Sequence, residues 1–547
     1  MKKFRRIKEL KLVKDSKKGL LRIIFGRTGI NVILILLQTS ILLSMFVFFY
    51  DAMPEYLGVN LALRAIFIFV VLGSSDSTSV KMTWVAMFAI LPIYSAGMYL
   101  LVKNDVGHRM LKKASITVTE ATKGVLVKDS DALKRLKHNS THTCNLLKYI
   151  ERTGTFPVYR HTAVKYYKLG DDMLPDILTA VEHAKHFIFI EYFIIEEGHM
   201  WGQILNLLAK KAKEGVEVRV LYDGMCEFAK LPHNYPNLLA KIGIDCRIFD
   251  KIMPFISTTY NYRDHRKFFI VDGTIGFTGG VNLADEYINN GSKFGHWKDT
   301  GVRLYGDAVK TMTLMMLQDW ALADPITRHR GKRLSALEMD KSDILNLKNE
   351  CKKYTERIVF EKQISDGYII PFGDNPLDDE RVGEAVYMDI INRAESYVYI
   401  MTPYLILDEE MQNTLKSAAK KGISVKIIIP HIPDKKIVFA LTRSYCKPLI
   451  EAGVEIYEYT PGFVHAKVFL SDNKRAVVGS INLDYRSLYH NFEDAVYMED
   501  SQVLSDIKED FIDTFKRCHR VTKKDLKNQR LSQRFVGTVF KIFDYLV

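Results

Sequence analysis

The chain has 547 residues, 48% hydrophobic and 26% charged, which excludes a disordered polymer and exceeds one ordinary domain. Its formal net charge of +13 suggests a nucleic-acid binder until the charge is located. Residues 1–27 hold eleven Lys or Arg against Glu9 and Asp15, which is +9 of the total, so the rest is nearly balanced and no broad duplex-binding face is indicated. Six cysteines, Cys144, Cys226, Cys246, Cys351, Cys446 and Cys518, have no paired spacing, which argues against a disulfide framework or a zinc site.

The basic tail, residues 1–29, reads as a cytoplasmic anchor on anionic lipid. Residues 30–103 follow as a membrane region. Ile30 to Tyr50 is uncharged and long enough to span roughly 30 Å of hydrocarbon as a helix. Trp84 to Val102 is a second predicted span, and a shorter apolar segment at 59–73 carries Arg64. Basic residues flank both spans on the same side, so the positive-inside rule favours an even number of crossings and a cytoplasmic body on a multi-pass protein of the cell membrane, with 59–73 a buried or re-entrant helix; a third true span there, which would put the body outside, is the alternative.

Residues 104–165 read as a connecting, largely helical stretch. Two copies of one unit follow, at 166–324 and 367–515. The first runs "HFIFIEYFII", "ILNLLAKKAKEGVEVRVLYDG" and "LLAKIGIDCRIFD"; the second runs "SYVYIMTPYLIL", "TLKSAAKKGISVKIIIP" and "LIEAGVEIYEY". Each alternates strand and amphipathic helix, with Gly215, Gly243, Gly422 and Gly453 where helices should stop. The expected fold class is α/β, with a largely parallel sheet per lobe, helices on both faces and approximate two-fold symmetry. Residues 325–366 read as a charged helical connector, and 516–547 as a basic amphipathic tail suited to a membrane surface or to packing on the second lobe.

Each copy then carries the same octet, "HRKFFIVD" at 265–272 and "HAKVFLSD" at 465–472. In an extended run, His265 and Lys267 share one face and Arg266 takes the other, and His465 and Lys467 repeat this. If the lobes face one another, two imidazoles and two ammonium groups converge on one site. That set suits phosphoryl transfer without a metal or cofactor: one imidazole attacks phosphorus, the other protonates the leaving alkoxide, and the lysines hold the remaining oxygens. Asp272 and Asp472 lie in turn-forming Asp-Gly and Asp-Asn pairs, where a structural role in the hairpin is the favoured reading. Downstream, "TGGVNLADEY" and "VGSINLDYRS" offer Asn282 and Asn482 as phosphate donors, or as helix caps. Asp299 and Glu493 could each accept the Nδ1 proton of a His, or be paired surface charges.

These duplicated octets, with their Gly-Gly/Ser-x-Asn partners, resemble the phospholipase D superfamily, and the surroundings from Ile30 onward look like bacterial cardiolipin synthases. The resemblance implies two α/β/α sandwich lobes with the site between them. It also implies transfer of a phosphatidyl group between two phosphatidylglycerol molecules, giving cardiolipin and glycerol through a phosphohistidine. It assigns His265, Lys267, Asp272, His465, Lys467 and Asp472 to the catalytic octets and Asn282, Asn482, Asp299 and Glu493 to substrate binding and His orientation. Superfamily precedent favours His265 as nucleophile. A hydrolase or a phosphatidylserine synthase shares the same octets. A nuclease would spread its basic residues around the cleft, and a decayed scaffold would show a broken octet.

Overall fold

Runs of β-branched and aromatic residues pair into two large sheets and one two-stranded sheet in the computed structural model, which describes residues 36, 39–40, 53–74, 76, 78–103, 106–127, 141–232, 234–250, 262–291, 293–323, 341–356 and 367–546. The first lobe contributes β1 (Thr162–Tyr167), β2 (Phe187–Tyr192), β3 (Glu217–Asp223), β4 (Asp245–Phe249), β5 (Arg263–Asp264), β6 (Lys267–Val271), β7 (Ile275–Gly279), β8 (His296–Lys298) and β9 (Gly301–Gly306). The second contributes β10 (Tyr368–Asp374), β11 (Tyr397–Met401), β12 (Ser424–Pro430), β13 (Glu455–Tyr459), β14 (Gly462–Val464), β15 (Val468–Ser471), β16 (Arg475–Gly479), β17 (Asn491–Glu499) and β18 (Cys518–Arg520). The sheet orders are β1-β9-β7-β6-β2-β3-β4 and β10-β17-β16-β15-β11-β12-β13-β18, the same path twice with one strand added.

The sheets are mixed, which corrects the expectation of a largely parallel arrangement. Within each lobe's sheet β2-β3-β4 and β11-β12-β13 run parallel, joined by helical crossovers, while the remaining strand pairings within each lobe are antiparallel. The octet strands β6 and β15 enter antiparallel because tight turns join them to β7 and β16. All four helix-stop glycines have positive φ, from +83° to +104°, as helix termination there requires.

Side-chain alternation builds three layers of core. On β2, Ile188 and Ile190 pack outward beneath the helices Gly170–Glu182 and His199–Lys213, while Phe187 and Phe189 face inward. The inward faces of both sheets share one core. Phe268 and Ile270 of the first lobe join Val468, Leu470 and Val496 of the second, with Met312 and Met315 of the helix Val309–Leu322 among them. The lobes are therefore fused across a common interior.

The predicted connectors hold more structure than expected. Strand β1 already begins inside 104–165, after helices Val106–Thr122 and Thr141–Gly154. The tail from 516 adds β18 to the sheet edge and packs the helix Leu531–Phe540 on Lys436–Glu451. A Cβ at Gly537 would lie 2.5 Å from the Ala440 carbonyl. Leu531 and Phe535 of that helix remain exposed.

By itself, the N-terminal unit comprises helices Met53–Leu72, Thr78–Ile90 and Pro92–Lys103, held by an aromatic cluster of Phe67, Trp84, Phe88 and Tyr99. The expected continuous span at 84–102 is instead two short helices meeting at Leu91–Pro92, because proline starts a helix more readily than it continues one. The segment expected at 59–73 lies within the helix Met53–Leu72. Among the described residues no helix is long and apolar enough to cross a membrane. The span expected at 30–50 lies outside the described residues apart from Leu36, Thr39 and Ser40.

Candidate active site

The octets meet where the lobes exchange backbone pairing. Strand β5 of the first lobe pairs with β17 of the second, and β14 of the second pairs with β8 of the first. The backbone N–H of His265 donates to Phe492 O at 2.9 Å, and that of His465 to Lys298 O at 2.7 Å. Each histidine is thus carried by its own lobe and seated on the other.

The orienting carboxylates are crossed in the same way. His265 Nδ1 donates to Glu493 Oε2 at 2.8 Å, and His465 Nδ1 donates to Asp299 Oδ2 at 2.6 Å. A carboxylate at Nδ1 holds that proton and leaves the Nε2 lone pair for phosphorus. Both expected acids therefore lie at an imidazole Nδ1, each beside the histidine of the opposite lobe. Period-two patterning could not reveal that crossing, because it places residues on a strand and not across an interface.

The lysines follow. Lys267 Nζ donates to the His265 carbonyl and Lys467 Nζ to the His465 carbonyl, one contact in each lobe. Lys467 Nζ also lies 2.9 Å from His465 Nδ1, but that nitrogen already donates to Asp299 and has no lone pair to offer. An ammonium carries three donors, so each lysine keeps some for a ligand. As expected, Arg266 points away, into Asp319.

Burial dominates the electrostatics. Burial, together with Lys267, Lys467 and Arg486, holds His265 well below the ordinary imidazole range. Burial and Lys467 hold His465 down to about 4 against the opposing pull of Asp299. Lys467 is lowered by burial to about 7 despite Asp299, and Lys267 is lowered by burial against Glu493 and Asp494. The two acids diverge. Burial pushes Glu493 up to about 6, whereas for Asp299 the burial cost is outweighed by His465 and Lys467, leaving it below the usual range. Each imidazole feels the lysine of the other lobe, which ties the four groups into one site.

The glycine-rich strand ends explain themselves through these acids. A Cβ at Gly280 would lie 2.0 Å from Asp299 Oδ1, so no side chain fits there. Ser480, its counterpart, instead donates its hydroxyl to Glu493 Oε2. Gly279 has φ +147°, and a Cβ there would strike Thr300 O at 2.3 Å.

The asparagines differ between lobes. Asn282 Nδ2 donates to Tyr287 Oη at 2.8 Å and its Oδ1 accepts from Ile194 N at 3.1 Å, which makes it a brace for the loop. Asn482 is buried with an Oδ1 that has no protein partner.

Asp272 and Asp472 are not in the site, which corrects their assignment to the catalytic set. Asp272 closes the far end of β6 from Lys267, about 17 Å away along five strand residues. Its carboxylate accepts the backbone N–H groups of Lys185, His186 and Phe187 at 2.7–2.9 Å. Asp472 repeats this with Glu395, Ser396 and Tyr397. Both sit at positive φ and start the neighbouring strand, the structural role that the turn chemistry favours.

Sequence reasoning missed the shell around these groups. Asp494 of the second lobe accepts Lys267 N at 3.1 Å and the Thr278 hydroxyl. Lys298 pairs with Asp510 at 2.7 Å, with both side chains buried. Glu191, Asp264 and Asp319 form an acidic group with the spacing of cation ligands, but the Arg266 guanidinium already lies among them. The side chains of Asp264 and Arg266 face away from His265, which is the only hint of this set in the sequence.

Comparison with known proteins is consistent with this geometry. The family described as "Cardiolipin synthase, PLD-like domain" matches residues 177–292 and 387–515, the two lobes. A cardiolipin synthase of Alkalihalophilus pseudofirmus is 30% identical, covering 91% of this chain and 95% of its own. Cardiolipin synthase 2 of Bacillus anthracis is 32% identical, covering 86% and 87%. An uncharacterized protein of Streptococcus mutans is 46% identical, covering 87% and 98%. A phosphatidylserine synthase of Haemophilus influenzae is similar in fold, with a TM-score of 0.53 at 13% identity, covering 73% of this chain and all of its own. The chain belongs to the cardiolipin synthase family, with the duplicated phospholipase D-like lobes that its two octets require.

Proposed function

We propose that the protein transfers a phosphatidyl group from one phosphatidylglycerol to the primary hydroxyl of another, forming cardiolipin and releasing glycerol. The observation that carries this is the crossed pair of His–carboxylate contacts at one lobe interface. His265 Nε2 attacks phosphorus and the P–O bond to the glycerol headgroup breaks, while His465 delivers the proton to the departing alkoxide. The hydroxyl of the second lipid then attacks phosphorus, His465 takes its proton, and the P–N bond breaks to regenerate His265. Swapping one primary alcohol for another on a phosphodiester is close to thermoneutral, so storing the bond on histidine suffices. An incoming phosphodiester brings negative charge between the imidazoles, which raises the affinity of His465 for the proton it must donate. Burial and the neighbouring cations keep His265 neutral, as a nucleophile must be.

A membrane location fits lipid substrates. It is supported by the basic and uncharged runs before Tyr50, and by exposed Leu61, Ile66 and Phe69 on the helix Met53–Leu72. Mass spectrometry of lipids from a cardiolipin-free bacterial strain expressing this chain, beside His265→Ala, tests the reaction. Cardiolipin only with the intact chain is expected; phosphatidic acid alone would make it a hydrolase.

A further inference from the structure

The C-terminal helix Leu531–Phe540 turns its apolar side chains the unexpected way. Of its ten residues only Gly537 is buried, seated against the Ala440 carbonyl, while Leu531 and Phe535 are 80% and 69% exposed. A helix kept only to cover Lys436–Glu451 would turn its leucine and phenylalanine inward. Leu531 and Phe535, four residues apart, instead share the outer face, opposite Gly537, and exposed Ile542 follows in the closing turn. Ile437, exposed at the start of the supporting helix, lies one turn before Ala440.

Charge sorts the same way. Lys523 to Lys541 holds six Lys or Arg and one acid, Asp525. Asp525 closes the capping box of Thr522, and the next acid, Asp544, is buried under the Tyr445 hydroxyl. Arg530 and Arg534 are exposed, each one residue before an exposed apolar side chain, and Lys523, Lys524 and Lys527 are exposed before them. The outward face of the tail is therefore apolar with a basic border.

That face leads toward the chemistry. The tail leaves the sheet edge at β18, packs on Lys436–Glu451 and ends against the short helix Tyr485–Tyr489, which starts three residues past Asn482. Phe439 of the supporting helix and Phe463, whose ring lies 6.1 Å from that of His465, line one cleft. An apolar stripe with a basic border suits an anionic bilayer, whose acyl region takes the Leu and Phe while its phosphates meet the cations. A second copy of the chain would set one positive stripe against another. We propose that Leu531, Phe535, Arg530, Arg534 and Ile437 form a face that docks the second lobe on an anionic bilayer. Docking holds the cleft beside His465 at the lipid surface. It goes beyond the transfer reading and does not depend on it.

The test uses the full chain reconstituted in vesicles, with Phe535→Trp as reporter and the parent chain as background. In phosphatidylglycerol vesicles with brominated acyl chains, the added emission is expected to fall by roughly half, and by much less in brominated phosphatidylcholine. The double variant Leu531→Ser, Phe535→Ser is expected to form cardiolipin roughly tenfold more slowly on phosphatidylglycerol vesicles, yet about as fast as the parent on short-chain phosphatidylglycerol dispersed as monomers. Unquenched emission, or equal quenching in both lipids, would overturn docking on an anionic bilayer. Emission that is blue-shifted but unquenched would also overturn it, and would mean that a protein surface such as a second copy covers the helix. An equal loss of rate on vesicles and monomers would make these residues structural and overturn the face. Quenching in a chain that forms no cardiolipin would sink the transfer reading and leave the docking face standing.

Discussion

At the scale of single residues, the site is governed by which proton sits on which nitrogen. Asp299 holds Nδ1–H of His465 as an ionised carboxylate, so Asp299→Asn removes a charge while keeping the shape. Loss of such an orienting partner costs roughly 10- to 100-fold in activity, and kcat for cardiolipin formation is expected to fall by that amount. Gly280→Ala should do comparable harm by a different route, because its Cβ would occupy the position of Asp299 Oδ1. The pH profile follows from two depressed or raised groups. Glu493, raised to about 6, must be ionised to hold the His265 proton, so kcat/KM should rise with pH through that region. Lys467, lowered to about 7, must be charged to hold phosphate oxygens, so kcat/KM should fall as pH passes it. Lys467→Arg cannot lose its proton near neutrality, and the alkaline limb should disappear from whatever activity it retains.

At the scale of elements, the octet is a strand with a function at each end. Its first residues do chemistry, and its last organises the start of the adjacent strand by gathering three backbone N–H groups. Asp272→Ala leaves those donors to water or to nothing, and hydrogen bonds to a charged group contribute about 1.5–3 kcal/mol. A urea midpoint lowered by an equivalent amount is expected, with the specific activity of the folded protein within about twofold of the parent. A loss of kcat as complete as that of His265→Ala would return Asp272 to the chemistry. The same logic applies to the strand ends after β7 and β16, where the choice of Gly280 or Ser480 is set by the carboxylate alongside.

At the scale of the whole molecule, the active site exists only because two lobes are fused across one core. Charges are buried in that junction, among them Lys298 with Asp510 and Arg266 with Asp319. Removing one member of a buried pair strands the other, at a cost of about 3–5 kcal/mol. Asp510→Asn should therefore lower the thermal midpoint markedly. Because the Lys298 carbonyl anchors His465, activity and near-UV circular dichroism should be lost together on heating. Independent loss of activity well below the structural transition would argue against this coupling.

Sequence alone determined a good deal here. The duplicated octets, the helix-stop glycines and the strand alternation made the two lobes legible, together with the shared face of each His-x-Lys pair and the two carboxylates, Asp299 and Glu493, that meet the imidazoles. These are properties of local spacing, and period-two geometry obliges His265 and Lys267 to share a face. Three things were decided only by tertiary structure. The acids serve the opposite lobe because β5 and β14 exchange partners across the junction. Asp272 and Asp472 leave the site because four residues of strand separate them from the lysines. The two half-sites differ, with Trp297 and Tyr287 beside His465 and Phe193 beside His265, because the crossing regroups residues that are far apart in the chain. No pattern along a chain specifies which surface of one folded lobe meets which surface of another, since that choice depends on the packing of both.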